Sequence, residues 1–580
     1  MVKNQLFRVN PDLAIVLSIL ETFGLDGLGD TKFFTKSSIK DIRTLEQINE
    51  MKDKNQPIKG CASISKDGTK LLVGENIPRI GLEGSVRAQG RDIIPSPYLS
   101  RLLDKFLDGT FIPAFETARG CPFLCTFCDQ GLDESKIAAF STQRCAEEIA
   151  YVGEKLSKIE KGVKTIGIFD SNWGLYQKDV DLADHIAKVM EKYDWPQFIT
   201  CSTPKSKREN LLKIDDKLKN RVAISLPMQS MDSNTLNQIK RKNLPEQEQI
   251  NHIRAIQKRG KTATTELIIP LPGETEESYF AGVKFFMDNH VQTRTWTLMQ
   301  LVGTELGRDF SINKYALKSK YRILPKEFGE YHKEKIFEIE KICVATNTMS
   351  YQGYLNCRNY SFILKLLGHA IFLPINKLTQ KLGISWFDFS RTLSNVLKKN
   401  NTKGKFKDLY DDFCKESRDE LFDTNEEAIK FYSKPENYKL LLSGDVGENL
   451  MSKYTTRGIL IIDDIISTLF DIIRNDFPHK FNEETEVVLD SAENWLKNLY
   501  LINKIYSDNY ESSKKENDEL TMDFDFPAWL QDDKQPLKRF KKNSTYKFNL
   551  DLKKINYVRG EIDSIMSGGK DKNRAFARYL

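Results

Sequence analysis

The sequence predicts an α/β protein: a partial (β/α)6 TIM-like barrel, with a short α/β segment before it and a mainly helical domain after it. Three observations carry this expectation. From about residue 111 to 302, short apolar runs alternate with stretches of helical periodicity, which calls for parallel strands with helices outside. Six such units make an open version of the eight-unit barrel. Ahead of them, Ile94-Pro-Ser-Pro97 is a stiff linker, because proline fixes its own backbone and constrains its predecessor. Beyond residue 310 apolar positions recur at helical spacing.

In the opening segment Leu45–Lys54 has a helical pattern, and Pro57–Ile64 and Lys70–Gly74 read as short strands around the turn Lys66-Asp-Gly68. The barrel strands are expected at Ile112–Thr117, Thr165–Asp170, Gln197–Cys201, Arg221–Leu226, Thr264–Ile269 and Thr295–Gln300. Helices are expected at Cys145–Ile159 and Val180–Tyr193, and at Thr235–Lys242 after the caps Asp232 and Ser233. Glu246–Arg259 opens after Pro245 and stops at Gly260, and Glu276–Asn289 follows the breaker Leu271-Pro-Gly273. In the C-terminal part, Phe362–Leu373, Leu409–Phe422 and Gly458–Ile473 are amphipathic. Expected domains are therefore residues 1–95, 96–308 and 309–580, the last a candidate cover over a substrate. Phe524, Phe526 and Trp529 are expected to pack against the barrel, and Lys538–Lys542 to be a solvated stretch.

Bulk properties exclude several classes. A hydrophobic content of 40% with 29% charged residues fits a globular chain. The net charge of +6, from 87 basic and 81 acidic residues, gives no clear nucleic-acid signal. No membrane span is expected: Leu13–Leu20 is too short, and Ile459–Ile473 is interrupted by Asp463, Asp464 and Asp471. No signal-peptide layout opens the chain. Nine cysteines, an odd number, argue against a disulfide framework and for a reducing cytoplasm.

The chemistry concentrates in the run Cys121-Pro-Phe-Leu-Cys125-Thr-Phe-Cys128. Three thiolates are one short of the four that saturate an iron–sulfur cluster or a structural zinc. A cubane cluster on three cysteines keeps one iron open for a ligand. A zinc knot needs a fourth ligand nearby, but Cys145 lies in a predicted helix and the first histidine of the chain is His185. A redox pair from Cys125 and Cys128 leaves Cys121 unexplained. The remaining histidines, His252, His290, His332, His369 and His479, show no ligand spacing.

The C-x3-C-x2-C spacing with Phe127 before the last cysteine resembles the signature of radical S-adenosylmethionine (radical SAM) enzymes. The resemblance implies a 4Fe–4S cluster on Cys121, Cys125 and Cys128, with S-adenosylmethionine chelated on the open iron and cleaved to a 5′-deoxyadenosyl radical. It implies catalytic use of those cysteines, an electron donor such as flavodoxin or ferredoxin, and a substrate that the sequence leaves unknown. Further segments resemble the subgroup that carries a cobalamin-binding domain: Ile94–Leu99, Glu116–Phe123, Phe169-Asp-Ser-Asn-Trp-Gly174, Ser225-Leu-Pro-Met-Gln-Ser230, Glu266–Thr275 and Leu301–Leu306. The resemblance assigns S-adenosylmethionine contacts to Phe127, Asp170, Ser171, Asn172, Ser225, Gln229 and Arg241. Against these roles, Asp170 also suits a turn or helix cap, and Arg241 in Lys240-Arg-Lys242 also suits a helix dipole.

The chain departs from that subgroup before Ile94. The segment is shorter than a cobalamin domain and holds no histidine to ligate cobalt. Either the domain is degenerate, or its opening half is missing, or cobalamin binds without a protein ligand. The first reading is therefore C–H functionalisation by a radical SAM enzyme. Cobalamin-dependent methyl transfer, a non-catalytic iron–sulfur or zinc protein, and a degenerate scaffold stand as alternatives.

Overall fold

The computed structural model describes residues 50–51, 53–57, 62–65, 67, 69–74, 92, 94–130, 137–478, 483–499, 519–531 and 537–547. Residues 58–61 of the expected strand Pro57–Ile64, most of the Leu45–Lys54 helix, the Leu13–Leu20 run and most of the expected domain 1–95 lie outside the described residues. The described chain forms two compact units. One draws on residues up to 124 and on 130–225, the other on 125–129 and on residues from 226 onward. The expected barrel segment 96–308 thus contributes to both.

In the first unit β1 (Ala62–Ile64) and β2 (Leu71–Val73) form an antiparallel pair. β3 (Ala114–Phe115) leads into a second, smaller pair, β4 (Ala118–Arg119) with β5 (Ala138–Ala139). β3, β6 (Thr165–Ile168) and β7 (Phe198–Cys201) lie side by side in that order, all parallel. Val222 adds a single parallel bridge to Ile199. The helices Thr142–Leu156 and Gln177–Tyr193 separate these strands. The first starts earlier than its apolar pattern because Ser141 accepts a hydrogen bond from the Arg144 amide, a cap that admits a polar first turn. Tyr98 ties the Pro-rich linker to the sheet: its hydroxyl donates to the Ala114 carbonyl at 2.9 Å and its ring stacks on Phe115. The helix Arg208–Lys217 was not expected. It buries only Leu211 and Ile214 among its apolar residues, too sparse a pattern to announce itself.

The second unit holds β8 (Leu226–Gln229), β9 (Thr264–Ile269) and β10 (Gln292–Thr297), parallel, with β9 in the middle. β9 falls where its pattern placed it. The strand expected at Arg221–Leu226 is displaced toward Gln229, because Pro227, which argues against a strand interior, sits inside β8 beside a register shift. The strand expected at Thr295–Gln300 begins at Gln292 instead. Its last part, Leu298 to Gln300, pairs with a hairpin: the Cys343 amide donates to Leu298 and the Gln300 amide to Lys341.

That hairpin, β11 (Lys318–Tyr331) and β12 (Glu334–Ala345), is a feature that the expectation of a mainly helical C-terminal region did not include. Its turn residues His332 and Lys333 both have positive φ, the conformation that Asn-Gly normally signals. Among the described residues the rest is mainly helical, as expected, apart from an antiparallel pair of strands, Glu519–Phe524 with Lys541–Lys547. Helices spanning Tyr351–Leu367, Trp386–Lys398, Lys405–Asp419, Leu450–Leu460 and Ile462–Asp476 share one apolar core. Phe362 stacks on Phe413 there, ring centres 4.4 Å apart. Phe524, Phe526 and Trp529 belong to this helical core, with Phe526 stacked on Trp495, rather than packing on the barrel. Lys538, Lys541 and Lys542 are exposed. Among the described residues no helix is long and apolar enough to cross a membrane.

Candidate functional site

The cysteine run follows the first strand of the parallel sheet, at the strand end where β/α proteins place their chemistry. The β4/β5 pair holds the entry of the loop. Gly120, at φ +108°, turns the chain into Cys121, a conformation that suits glycine. Arg119 pairs with Glu116 at 2.9 Å on the same stem.

In the first unit the loop is clasped by Asp170. One carboxylate oxygen accepts from the amides of Thr117 (2.6 Å) and Ala118 (3.1 Å), the other from the Thr117 hydroxyl at 2.5 Å. Lys178 stands 4.0 Å from Asp170 and donates to the Thr117 hydroxyl at 3.1 Å. Asp170 is 4% exposed, and burial raises its pKa while Lys178 and the three donors act the other way. Both oxygens thus serve the strand ends that frame the loop. The neighbouring Asn172 donates its side-chain amide to the Cys121 sulfur at 3.2 Å. Ser171 is half-buried, its hydroxyl 3.4 Å from Gln130. Buried Trp173 anchors this turn through its amide on the Ser202 carbonyl. Ser225 sits in the same unit with its carbonyl bonded by Thr203 at 2.7 Å. A shallow cleft lined by Gly120, Pro122, Ile137, Ser171, Asn172 and Tyr176 opens here. Lys205, buried, lies 3.8 Å above the Phe123 ring. Cys201, at the end of β7, is half-buried and faces the Ala223 carbonyl.

In the second unit the rest of the loop is fastened by its backbone. The Thr126 amide donates to Ile239 and the Leu306 amide to Thr126. Phe127 packs against a cluster of Ile239, Leu271, Leu298 and Leu306. Cys125 is buried and Cys128 partly so, and both are thiols, as is Cys121. Arg241 is buried, its Nη1 3.8 Å from the Cys125 sulfur. Gln229, at φ +67°, ends β8 with its side chain buried. Past β9, Gly273 allows the turn to approach the helix Ser233–Gln238: a β-carbon there would lie 3.2 Å from the Thr235 backbone. Next to it Glu274 is 3% exposed, and burial pushes its pKa up to about 7 despite the hydroxyls of Ser230 and Ser278.

Sequence reasoning missed Lys178, Thr117, Asn243 and Glu274. The last stood inside a quoted motif, yet nothing in the string distinguishes a buried carboxyl from an exposed one. Among the described residues, no three His, Cys, Asp or Glu side chains are gathered into a metal-holding group, the three cysteines included. The fit of a cluster therefore rests on the donor set. It does fit: three thiols fall within eight residues, and two of their sulfurs already receive N–H donors.

Residues 115–282 match the family model described as the Radical SAM superfamily. This segment is a radical SAM domain. The chain is similar to the 2-(S-pantetheinyl)-carbapenam-3-carboxylate methyltransferase of Streptantibioticus cattleyicolor, 26% identical over 48% of this chain and 42% of that protein. It is similar also to the cobalamin-dependent radical SAM methyltransferase TokK of Streptomyces tokunonensis, 27% identical over 39% of this chain and 34% of that one. It therefore spans less than half the length of these curated relatives. Among solved structures, OxsB, a cobalamin-dependent S-adenosylmethionine radical enzyme with aqua-cobalamin and S-adenosylmethionine bound, matches with TM-score 0.36 and 13% identity, over 78% of this chain and 66% of that one.

Proposed function

We propose that this chain is a radical SAM enzyme whose Cys121, Cys125 and Cys128 hold a 4Fe–4S cluster. The observation that carries this reading is the three-cysteine run with no fourth cysteine or histidine beside it in the sequence, inside a segment that matches the Radical SAM superfamily. When bound, such a cluster with S-adenosylmethionine supplies a 5′-deoxyadenosyl radical for hydrogen abstraction. The chain's own residues supply the frame. Asp170 and Lys178 fix the strand ends around the loop, and Gly120 turns it. Ser171, Ser225 and Gln229 remain the candidates for contacting the nucleotide. Burial of Cys125 and of the Phe127 cluster keeps water from the Cys125 sulfur. A one-electron donor such as flavodoxin or ferredoxin and a reducing cytoplasm suit this chemistry. The substrate is open.

Anaerobic reconstitution, dithionite reduction and an assay for 5′-deoxyadenosine test the reading. Wild type is expected to turn brown and release the nucleoside, and Cys125→Ala to lose both. Colour and product surviving in that variant, or zinc in place of iron and sulfide, reject it.

A second reading is cobalamin-dependent methyl transfer, favoured by the names of the two curated relatives. No histidine precedes His185, so a lower cobalt ligand from residues 1–110 is not available as histidine. Corrinoid retained through gel filtration, with methylated product, separates this reading from the first.

A further inference from the structure

We propose that Glu274 is a proton-operated latch: protonated, it holds the turn after β9 against the segment that opens the helix Tyr351–Leu367, and deprotonation releases that hold. The inference goes beyond the radical SAM reading and stands whether or not the cysteines hold a cluster. All the residues concerned belong to the second unit.

Hydrogen bonds join the two segments directly. The Thr348 hydroxyl donates to the Glu274 carbonyl at 2.8 Å. Glu276 accepts from the Asn356 side chain at 3.2 Å, and one turn further the hydroxyls of Tyr279 and Ser361 share a hydrogen bond of 3.0 Å. The packing leaves no slack. A β-carbon on Gly353 would lie 3.3 Å from the Met349 side chain and 3.5 Å from the Glu276 carboxylate. On the other side of the turn, one on Gly273 would lie 3.2 Å from the Thr235 backbone. Glu274 follows Gly273 in this turn and is 3% exposed.

The groups that face the Glu274 side chain give an ionised carboxyl little support. Its donors are the neutral hydroxyls of Ser278 and Ser230. Asp232, which caps the helix Ser233–Gln238, carries the same charge. The helix Tyr351–Leu367 contributes buried Cys357, whose thiol is pushed up by burial and then by Glu276 and Glu274. Arg391 and Lys398, on the helix Trp386–Lys398, act on Cys357 in the opposite sense. A buried carboxylate held by neutral hydroxyls is costly, whereas the neutral acid suits the site. Loss of its proton to solvent therefore favours a state in which water reaches the group. Water reaches it only when the turn moves, and the Thr348 bond carries that movement into the neighbouring segment.

The test is hydrogen–deuterium exchange of the full chain at pH 6 and pH 8, corrected for the intrinsic pH dependence of exchange, in peptides covering 273–279 and 346–356. A carboxyl that titrates at 4.5 when open and at about 7 when latched raises the open population about tenfold between these two pH values. Wild type is expected to lose protection about tenfold in both peptides. Glu274→Gln cannot ionise and is expected to lose none. Thr348→Val should keep the response at 273–279 and weaken it at 346–356. Asp232→Asn retains a helix cap but removes the like charge, so the midpoint of the response should move to lower pH. No response in wild type, a response confined to 273–279, or the same response in Glu274→Gln overturns the latch. Equal responses of the two peptides in Thr348→Val overturn it too. If Glu274→Gln fails to fold, Asp232→Asn decides: a midpoint that is unchanged or higher overturns the latch.

Discussion

Two strand-end loops, one in each unit, bury a carboxyl group, and they surround it with different partners. After β6, Asp170 meets two backbone amides, a hydroxyl and a lysine. After β9, Glu274 meets the Ser230 and Ser278 hydroxyls and the like-charged Asp232. Desolvation acts on both, but only the first has a cation and backbone donors to set against it. Asp170 is therefore a clasp that works as an acceptor. Glu274, held at about 7, changes charge within the neutral range.

The largest effect should come from breaking the clasp. Asp170→Ala strands two buried amides and a hydroxyl and removes a carboxylate 4.0 Å from Lys178, which keeps Asp179 at 3.2 Å. The expected loss is roughly 3–5 kcal/mol, read as a lower denaturation midpoint, with less iron retained on reconstitution. Asp170→Asn keeps an acceptor for the amides and should lose less. Equal losses in the two variants would mean that charge, not acceptor geometry, holds the loop.

Glu274→Gln probes the other loop. The folded state raises this carboxyl from 4.5 to about 7, so it binds a proton that the unfolded chain releases. Its stabilising contribution is present in full below pH 4.5 and is lost as pH rises through about 7, amounting to roughly 3 kcal/mol. Glutamine cannot ionise, so the variant should gain stability relative to wild type as pH climbs through that window. Denaturation curves at pH 5 and pH 8 check this. A difference between the proteins that does not change with pH would remove Glu274 from the titrating groups.

These environments were only partly legible in the sequence. The cysteine run, the strand β9 and the helices with explicit caps could be read because their signals are local: spacing, alternation and a serine or aspartate at the start. Asp232 caps its helix as its position suggested, accepting from Thr235 at 2.7 Å. What failed depended on partners distant in the chain. The hairpin β11/β12 carries no glycine at its turn, and its apolar residues Phe337 and Ile339 find their partners in Tyr432, Tyr438 and Leu441. The sequence leaves Arg241 between a helix-end charge and a nucleotide contact, and its tie to β8 through Pro227 is not written in it. The sequence leaves Asp170 between a nucleotide contact and a turn or helix cap, and its donors on Thr117, far earlier in the chain, are not written in it.

The smallest expected effect sharpens the comparison at the level of the backbone. Gly174 and Gly273 follow the two loops' motifs, with φ of +95° and +88°. Alanine at either position must hold a conformation that L-residues disfavour, at a cost of about 1 kcal/mol. The surroundings then separate them. A β-carbon on Gly174 would lie 3.4 Å from the Leu211 side chain, an ordinary contact. On Gly273 it would lie 3.0 Å from the Asn234 amide and 3.2 Å from the Thr235 backbone, which cannot swing away as a side-chain tip can. Gly273→Ala should therefore cost about 2–3 kcal/mol and Gly174→Ala about 1 kcal/mol. The gap is measurable as a difference in denaturation midpoint at constant slope. Equal costs would show that the turn after β9 can shift away from the helix Ser233–Gln238, and that the packing of Glu274 beside it is looser than these distances require.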